Sequence, residues 1–236
     1  MTKNIKKIDN YEFDERFYQY IKNGVKYYNP SVTYILGCAY PSNFELSYWR
    51  GDVGNKRADE ILEETSADGS FVHESIEQIL NKQEISSGSI STKFSPRRSL
   101  KIKRCLKAFL DWCSEFKPEI ISTEFITWND EYKFAGTVDL KCKIGQKEYV
   151  IDFKTSKSIH PSHKVQVCAY ALSENIKNVA LLHLGNTTKK KYSFLELKPE
   201  DLEKYTKEFL QVNELFQTLY PNAKPTEETF PDSFKL

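Results

Sequence analysis

Two acids in this chain stand where an acid is costly. Asp139 lies in Gly136-Thr137-Val138-Asp139-Leu140, and Asp152 lies in Val150-Ile151-Asp152-Phe153-Lys154-Thr155. Both sit among β-branched and apolar neighbours, the pattern of a buried strand, and an unpaired buried carboxylate is unfavourable. A metal ion resolves the conflict. Two carboxylates at the ends of adjacent strands neutralise and position it, and hard oxygen donors select Mg²⁺ or Mn²⁺. Lys154 follows Asp152 by two residues, a spacing at which strand side chains face the same way, so ammonium and carboxylate converge. That set suits hydrolysis of a phosphodiester: the metal polarises the phosphoryl group and activates water, and the lysine orients the water or stabilises developing charge. Taken alone, Asp-x-Lys is a common triplet and reads as a plain salt bridge at a sheet edge.

The elements that must position these residues follow from pattern. Residues 16–28 predict a hairpin with Asn23-Gly24 at its turn, since Asn-Gly supplies the positive φ angles required there. Ser31 is placed to cap a short helix over VTYIL. Residues 44–49 and 56–64 read as helices, and Ala67-Asp68-Gly69 as a break. A helix follows at 70–81 with Phe71, Ile76, Ile79 and Leu80 on one side. The Ser-rich stretch 84–99, with Gly88 and Pro96, predicts a flexible excursion. Residues 100–116 form an amphipathic helix with Lys101, Lys103, Arg104 and Lys107 on its polar face. Strands are then predicted at 119–128, 132–144 and 148–154, with a tight turn at Gly145-Gln146. A helix at 162–173, strands at 179–184 and 192–197, a long helix at 199–219 and a polar tail complete the chain. Helices first, then a sheet with a helix inserted, predicts an α/β core with a helical N-terminal layer.

Composition bounds the alternatives. The chain has 236 residues, 39% hydrophobic and 28% charged, enough for a real core. With 34 basic and 33 acidic residues the net charge is +1. A nucleic-acid partner then requires local clustering of Lys and Arg rather than a basic total. The five Cys are odd in number and irregularly spaced, with no C-x-x-C pair, which predicts buried thiols in a reducing compartment. No apolar run is long enough to span a membrane, and the polar N-terminus is a poor signal peptide. The expectation is a cytoplasmic protein. The lean toward Lys, Asn and Ile suits an AT-rich bacterial or phage genome.

The acids and the lysine have company. His73 lies in FVHESIEQIL, Asp139 in GTVDL, Asp152 and Lys154 in IDFKTSK, and Gln166 with Tyr170 in QVCAYA. In this order they resemble the PD-(D/E)XK nuclease superfamily in its RecB-like branch. That branch carries an early helical His, a G-x-x-D strand, a D/E-x-K strand and a Q-x-x-x-Y helix. Gln166 and Tyr170, four apart, share one helix face. PSVTYIL, YWRGDVGNKRADEILEETSADGSFVHESIE and the preceding hairpin narrow the likeness to the mitochondrial genome maintenance exonuclease type, over residues 16–174.

The resemblance implies a restriction-endonuclease-like core, a central mixed sheet flanked by helices, with an N-terminal hairpin and helical layer. It implies one domain over 1–236, divided into hairpin and helical layer (11–117), catalytic core (118–220) and polar tail (221–236). It also implies metal ligation by His73, Asp139, Asp152 and the carbonyl of Phe153, and catalysis by Asp139, Asp152 and Lys154 with Glu124, Gln166 and Tyr170. The implied activity is Mg²⁺- or Mn²⁺-dependent cleavage of single-stranded DNA from free ends, in replication, repair or recombination. Tyr34, Trp49 and Arg50 are the candidates for gripping DNA. Arg97, Arg98, Lys101 and Arg104 form a candidate phosphate track by their own charge. Iron–sulfur members of the branch use three C-terminal Cys; here Cys168 is the last, so no cluster is expected. An endonuclease on duplex or branched DNA, or a non-catalytic nucleic-acid-binding module on the same fold, are the alternatives.

Overall fold

The computed structural model describes residues 16–22, 25–41 and 44–225. The Asn23-Gly24 turn and residues 226–236 of the polar tail lie outside the described residues. Two strands, β1 (Phe17–Lys22) and β2 (Val25–Pro30), pair antiparallel as the expected hairpin. Helices α1 (Val32–Ala39), α2 (Phe44–Val53), α3 (Asn55–Leu80), α4 (Ser87–Lys93) and α5 (Pro96–Phe116) follow. Then come β3 (Glu119–Asn129), β4 (Phe134–Ile144), β5 (Lys147–Lys154), α6 (Pro161–Glu174), β6 (Asn178–Leu184), β7 (Tyr192–Glu196) and α7 (Pro199–Leu219). The five later strands form a mixed sheet in the order β3-β4-β5-β6-β7, with β5 and β6 parallel and the other pairs antiparallel. The architecture is the expected one: an α/β fold with helices on both faces of a mixed sheet and an antiparallel hairpin before it.

The parallel pair explains the apolar runs VIDF and VALLHL, because both faces of those strands are covered. On one face Val150, Val179 and Leu181 pack with Phe134, Val138, Phe209 and Phe216 beneath α1, α6 and α7. On the other, Ile151, Phe153, Ala180 and Leu182 pack with Ile102, Phe109 and Trp112 beneath α3 and α5. The N-terminal helices thus serve both faces of the sheet. Among the described residues no helix is long and apolar enough to cross a membrane.

Two local expectations fail. Ala67-Asp68-Gly69 does not break the helix; α3 runs unbroken from Asn55 to Leu80. A mid-helix Gly costs only about 1 kcal/mol relative to Ala. Here the burial of Val72 and Ile76 and an ion pair from Asp68 to Arg98 at 2.7 Å offset it. The Ser-rich stretch also folds. Ser86 caps α4 by accepting from the Gly88 amide at 3.2 Å, and Pro96 opens α5 at its first turn, where its missing N–H costs nothing. The anchor is Ile90, 2% exposed and packed in the α3–α5 core. Replacing Ile90 by Ala should cost about 2–4 kcal/mol by chemical denaturation. A loss under about 0.5 kcal/mol, typical of exposed positions, would return this stretch to a loop.

Candidate metal centre

The site begins where β4 and β5 separate. Their ladder runs from Ile144–Lys147 to Leu140–Ile151, so the next facing positions, Asp139 and Asp152, lie just beyond the end of the backbone pairing. The Phe153 amide, which would otherwise lose a ladder partner, donates instead to Asp139 Oδ2 at 2.5 Å. A buried N–H requires an acceptor, and the carboxylate supplies it. The alternation of β4 also changes phase here. Phe134 and Val138 belong to the α6–α7 core, whereas Leu140 and Cys142 belong to the α3–α5 core. Asp139 occupies the switch, and its backbone oxygen accepts from Thr123 Oγ1 at 3.0 Å.

Glu124 arrives from the other side. Thr123 pairs with Leu140 and Phe125 with Val138, which places Glu124 opposite Asp139. Like charges directly opposed on a sheet repel. Glu124 also has φ +44°, a left-handed value a non-glycine residue adopts at a cost of about 1–3 kcal/mol. His73 completes the group from α3: its Nδ1 is 3.3 Å from Asp139 Oδ1 and 3.7 Å from Glu124 Oε1. Gly69, His73 and Glu77 recur every four residues on one face of α3, and with Ser70, Glu74 and Glu124 they line an open groove of about 420 Å³. The ligand atoms of His73, Glu124 and Asp139 all lie within 4.8 Å of one another. One nitrogen and two carboxylate donors at that separation, with repelling acids and strained backbone, fit a divalent cation. Glu124, expected among the catalytic acids, thus falls in the candidate ligand group.

Asp152 is outside that group and faces Lys154. Lys154 Nζ is 2.7 Å from Asp152 Oδ2, a buried oxygen that receives no well-directed hydrogen bond. Lys154 donates to Gln166 Oε1 at 3.0 Å, and Gln166 Nε2 donates to Tyr170 OH at 2.9 Å. The expected shared face of Gln166 and Tyr170 is therefore what braces the lysine. Tyr170 reaches this position because Gly136 has no side chain: a Cβ there would lie within 2.4 Å of the Tyr170 ring. Phe153 enters the site through its amide, and its ring packs edge-on to His73 at 5.8 Å.

The charges are strongly interdependent. Burial opposes the charge of His73, but Asp139 and Glu124 outweigh it, with Asp152 adding, and push His73 up to about 10. Burial likewise opposes ionisation of Asp139, yet His73, Lys154 and the Phe153 amide hold its carboxyl below the usual range. Asp152 is raised to about 6 by burial and by Asp139, against the pull of Lys154 and His73. Burial, with Asp139 and Glu77 adding, raises Glu124 despite His73. Without a cation, the acids clamp a proton on His73; a cation with the same partners would displace it.

The other residues singled out in the sequence lie elsewhere. Tyr34 packs between Phe17 and Phe216, each ring centroid 5.4 Å away, against α7. Trp49 and Arg50 lie on α2, where Arg50 pairs with Asp59 at 2.6 Å. Asp59 is about 21 Å along α3 from His73 at 1.5 Å per residue. Arg98 and Lys101 are 2.7 and 3.7 Å from the buried carboxylate of Asp68, while Arg97 and Arg104 are exposed on α5. Three histidines that sequence reasoning passed over gather near Lys154. His183 pairs with Lys154 in the β5–β6 register and contacts the Ser156 carbonyl through Nε2 at 2.6 Å. His163 accepts from the His160 amide at 3.2 Å and is held down to about 3, by burial first and then by Lys154, His160 and His183. Only His183 carried a usable signal, its place on an apolar strand.

No protein-family model matches this sequence, and no curated protein matches it. Among solved structures, the crystal structure of SSO0001 aligns with a TM-score of 0.43 and 15% identity, over 81% of this chain and 76% of that one. The crystal structure of LHK-Exo in complex with dAMP aligns with a TM-score of 0.32 and 14% identity, over 67% of this chain and 90% of that one. Both similarities are too distant to assign a shared topology, so the chemistry of the site stands on its own residues.

Two outcomes follow from this geometry. Asp152 has a folded pKa above its unfolded value, so its charge destabilises the cation-free protein progressively as pH rises through about 6. In chelator, Asp152→Asn should stabilise the protein near pH 8, by an amount on the order of 3 kcal/mol. That corresponds to a Tm higher by roughly 6–12 °C for a chain of this size. The gap should close toward pH 4; a variant no more stable than wild type near pH 8 would contradict the assignment. Gly136→Ala should displace Tyr170 and cost about 1–3 kcal/mol by chemical denaturation, with the sheet intact by circular dichroism. Wild-type stability in that variant would remove Tyr170 from close contact with Gly136.

Proposed function

We propose that this chain is a metal-dependent nuclease that hydrolyses phosphodiester bonds in DNA, preferring single strands with a free end. The observation that carries the reading is the meeting of His73, Glu124 and Asp139 where β4 and β5 part, beside the ion pair of Asp152 and Lys154. A divalent cation held by His73, Glu124 and Asp139, with Asp152 adjacent, would supply Lewis acidity toward a phosphoryl oxygen. Lys154, braced by Gln166 and Tyr170, orients the attacking water and places positive charge where negative charge develops on the phosphate. Asp152, with a pKa near 6, is matched to accepting a proton near neutrality.

The preference for single strands rests on α3. It brings His73 to one groove with Glu124, the path we assign to the substrate. A flexible single strand can bend to follow a groove of this size to the cation group, which a rigid duplex does less readily. Glu74 and Glu77 line the same groove, which makes entry of a polyanion dependent on the cation. Phosphate contacts farther out fall to Arg97 and Arg104, since Asp68 engages Arg98 and Lys101.

Activity should require Mg²⁺ or Mn²⁺, and Ala at Asp139, Asp152 or Lys154 should cost roughly 10²–10³ in rate or more. Linear single strands should be degraded while closed circles of the same sequence survive. Near wild-type turnover by contaminant-free Asp152→Ala would overturn the site, and equal cutting of circles would turn the reading to an endonuclease.

A further inference from the structure

Asp68 is a buried acid on α3 that the proposed chemistry does not use. It is 4% exposed, and its carboxylate is held from α5 by Arg98 at 2.7 Å and Lys101 at 3.7 Å. Arg98 is itself fixed, with its guanidinium 5.0 Å from the centre of the Phe94 ring. Asp68, Val72 and Ile76 form the buried stripe of α3; Gly69, His73 and Glu77 form the neighbouring stripe that lines the groove. We propose that Asp68 is a positioning residue for His73: its ion pair with α5 sets the rotation of α3 about its own axis, and so brings the imidazole to Asp139 and Glu124. This rests on the reading of His73, Glu124 and Asp139 as cation ligands.

The physical case compares directional with non-directional contacts. Val72 and Ile76 bury apolar surface, which anchors the helix without fixing its rotation closely. A charge-assisted hydrogen bond is short and directional. Rotation by about 20° moves an atom at the helix surface, roughly 5–6 Å from the axis, by about 2 Å. A shift of that size would open the 3.3 Å contact between His73 and Asp139. An ion pair with one buried partner adds little to stability, since apolar residues of similar volume often do as well, and one recognised use is to fix a register. A second contact lies beside it. Gly69 brings α3 so close to the end of β5 that a Cβ there would be 3.2 Å from Thr155 Oγ1, one residue past Lys154. Asp68 and Gly69 together set the helix at the height of the site, one turn before His73.

The test uses the full chain and Mn²⁺ alone. Wild-type protein should bind Mn²⁺ in calorimetry and show imidazole nitrogen coupling in pulsed electron paramagnetic resonance. Asp68→Asn should weaken binding roughly 10–100-fold, as loss of an outer ligand-orienting contact does, and should lose the nitrogen coupling while remaining folded by circular dichroism. Arg98→Ala should do the same, and Asp68→Glu, which keeps the charge, should recover most of both signals. If Asp68→Asn does not fold, the double change Asp68→Leu with Arg98→Met replaces the pair with apolar bulk, and the same losses are expected. Folded Asp68→Asn with wild-type affinity and nitrogen coupling would overturn the clamp alone. Wild-type protein that binds no Mn²⁺ would overturn the cation reading and the clamp with it.

Discussion

The hydrogen bond from the Phe153 amide to the Asp139 carboxylate stands where β4 and β5 would otherwise exchange backbone bonds. Two strands that part inside a protein leave buried amides and carbonyls that need partners, which usually prevents such a gap from persisting. Here a side chain closes the account, and the substitution does three things. It fixes the carboxylate against the end of β5, leaves its other oxygen directed toward His73, and opens space between the strands. The remaining functional side chains converge on that space: Glu124 from β3, Asp152 and Lys154 from β5, His73 from α3.

The gap would be unstable if packing were the only consideration. Three acids face it, one on left-handed backbone and one with a buried oxygen lacking a well-directed donor. Each of these features opposes folding, and local strain of this kind clusters at functional sites. In the cation-free protein protons relieve the repulsion: His73 holds one, and Asp152 takes one up as pH falls through about 6. The fold therefore holds its acids in a state that a divalent cation would stabilise, and Lys154 alone does not discharge them.

The sequence disclosed the parts whose signals are local. Alternating and continuous apolar runs located β3 to β6, and the Asp-x-Lys and Gln-x-x-x-Tyr spacings put each pair on one face of its own element. What it concealed depends on contacts between distant segments. Asp68 and Gly69 read as a helix break because their partners, Arg98 and Thr155, lie 30 and 86 residues away. The serines from 86 to 91 read as a loop because a single buried residue, Ile90, decides the matter. Nothing local to Arg98 and Lys101 announces Asp68, the buried acid beside them. Glu124 read as a catalytic acid by likeness, whereas strand register, invisible in a linear chain, sets it against Asp139 in the candidate ligand group.

The compact spacing Gly136-x-x-Asp139 has a physical reason in this arrangement. The cation group is referenced to Asp139, through its contacts with His73 and with the Phe153 amide. The lysine is referenced to Gly136, through Gln166 and the Tyr170 ring that the absent side chain admits. Both halves of the site are thus measured from one four-residue stretch of β4, ending at the residue where its alternation changes phase. Two helices, α3 and α6, bring His73 to the cation group and Gln166 to the lysine. The first is held at Asp68 and Gly69. The second is held by the burial of Val165, Val167 and Cys168 against the sheet, on either side of the Gln166 that reaches Lys154.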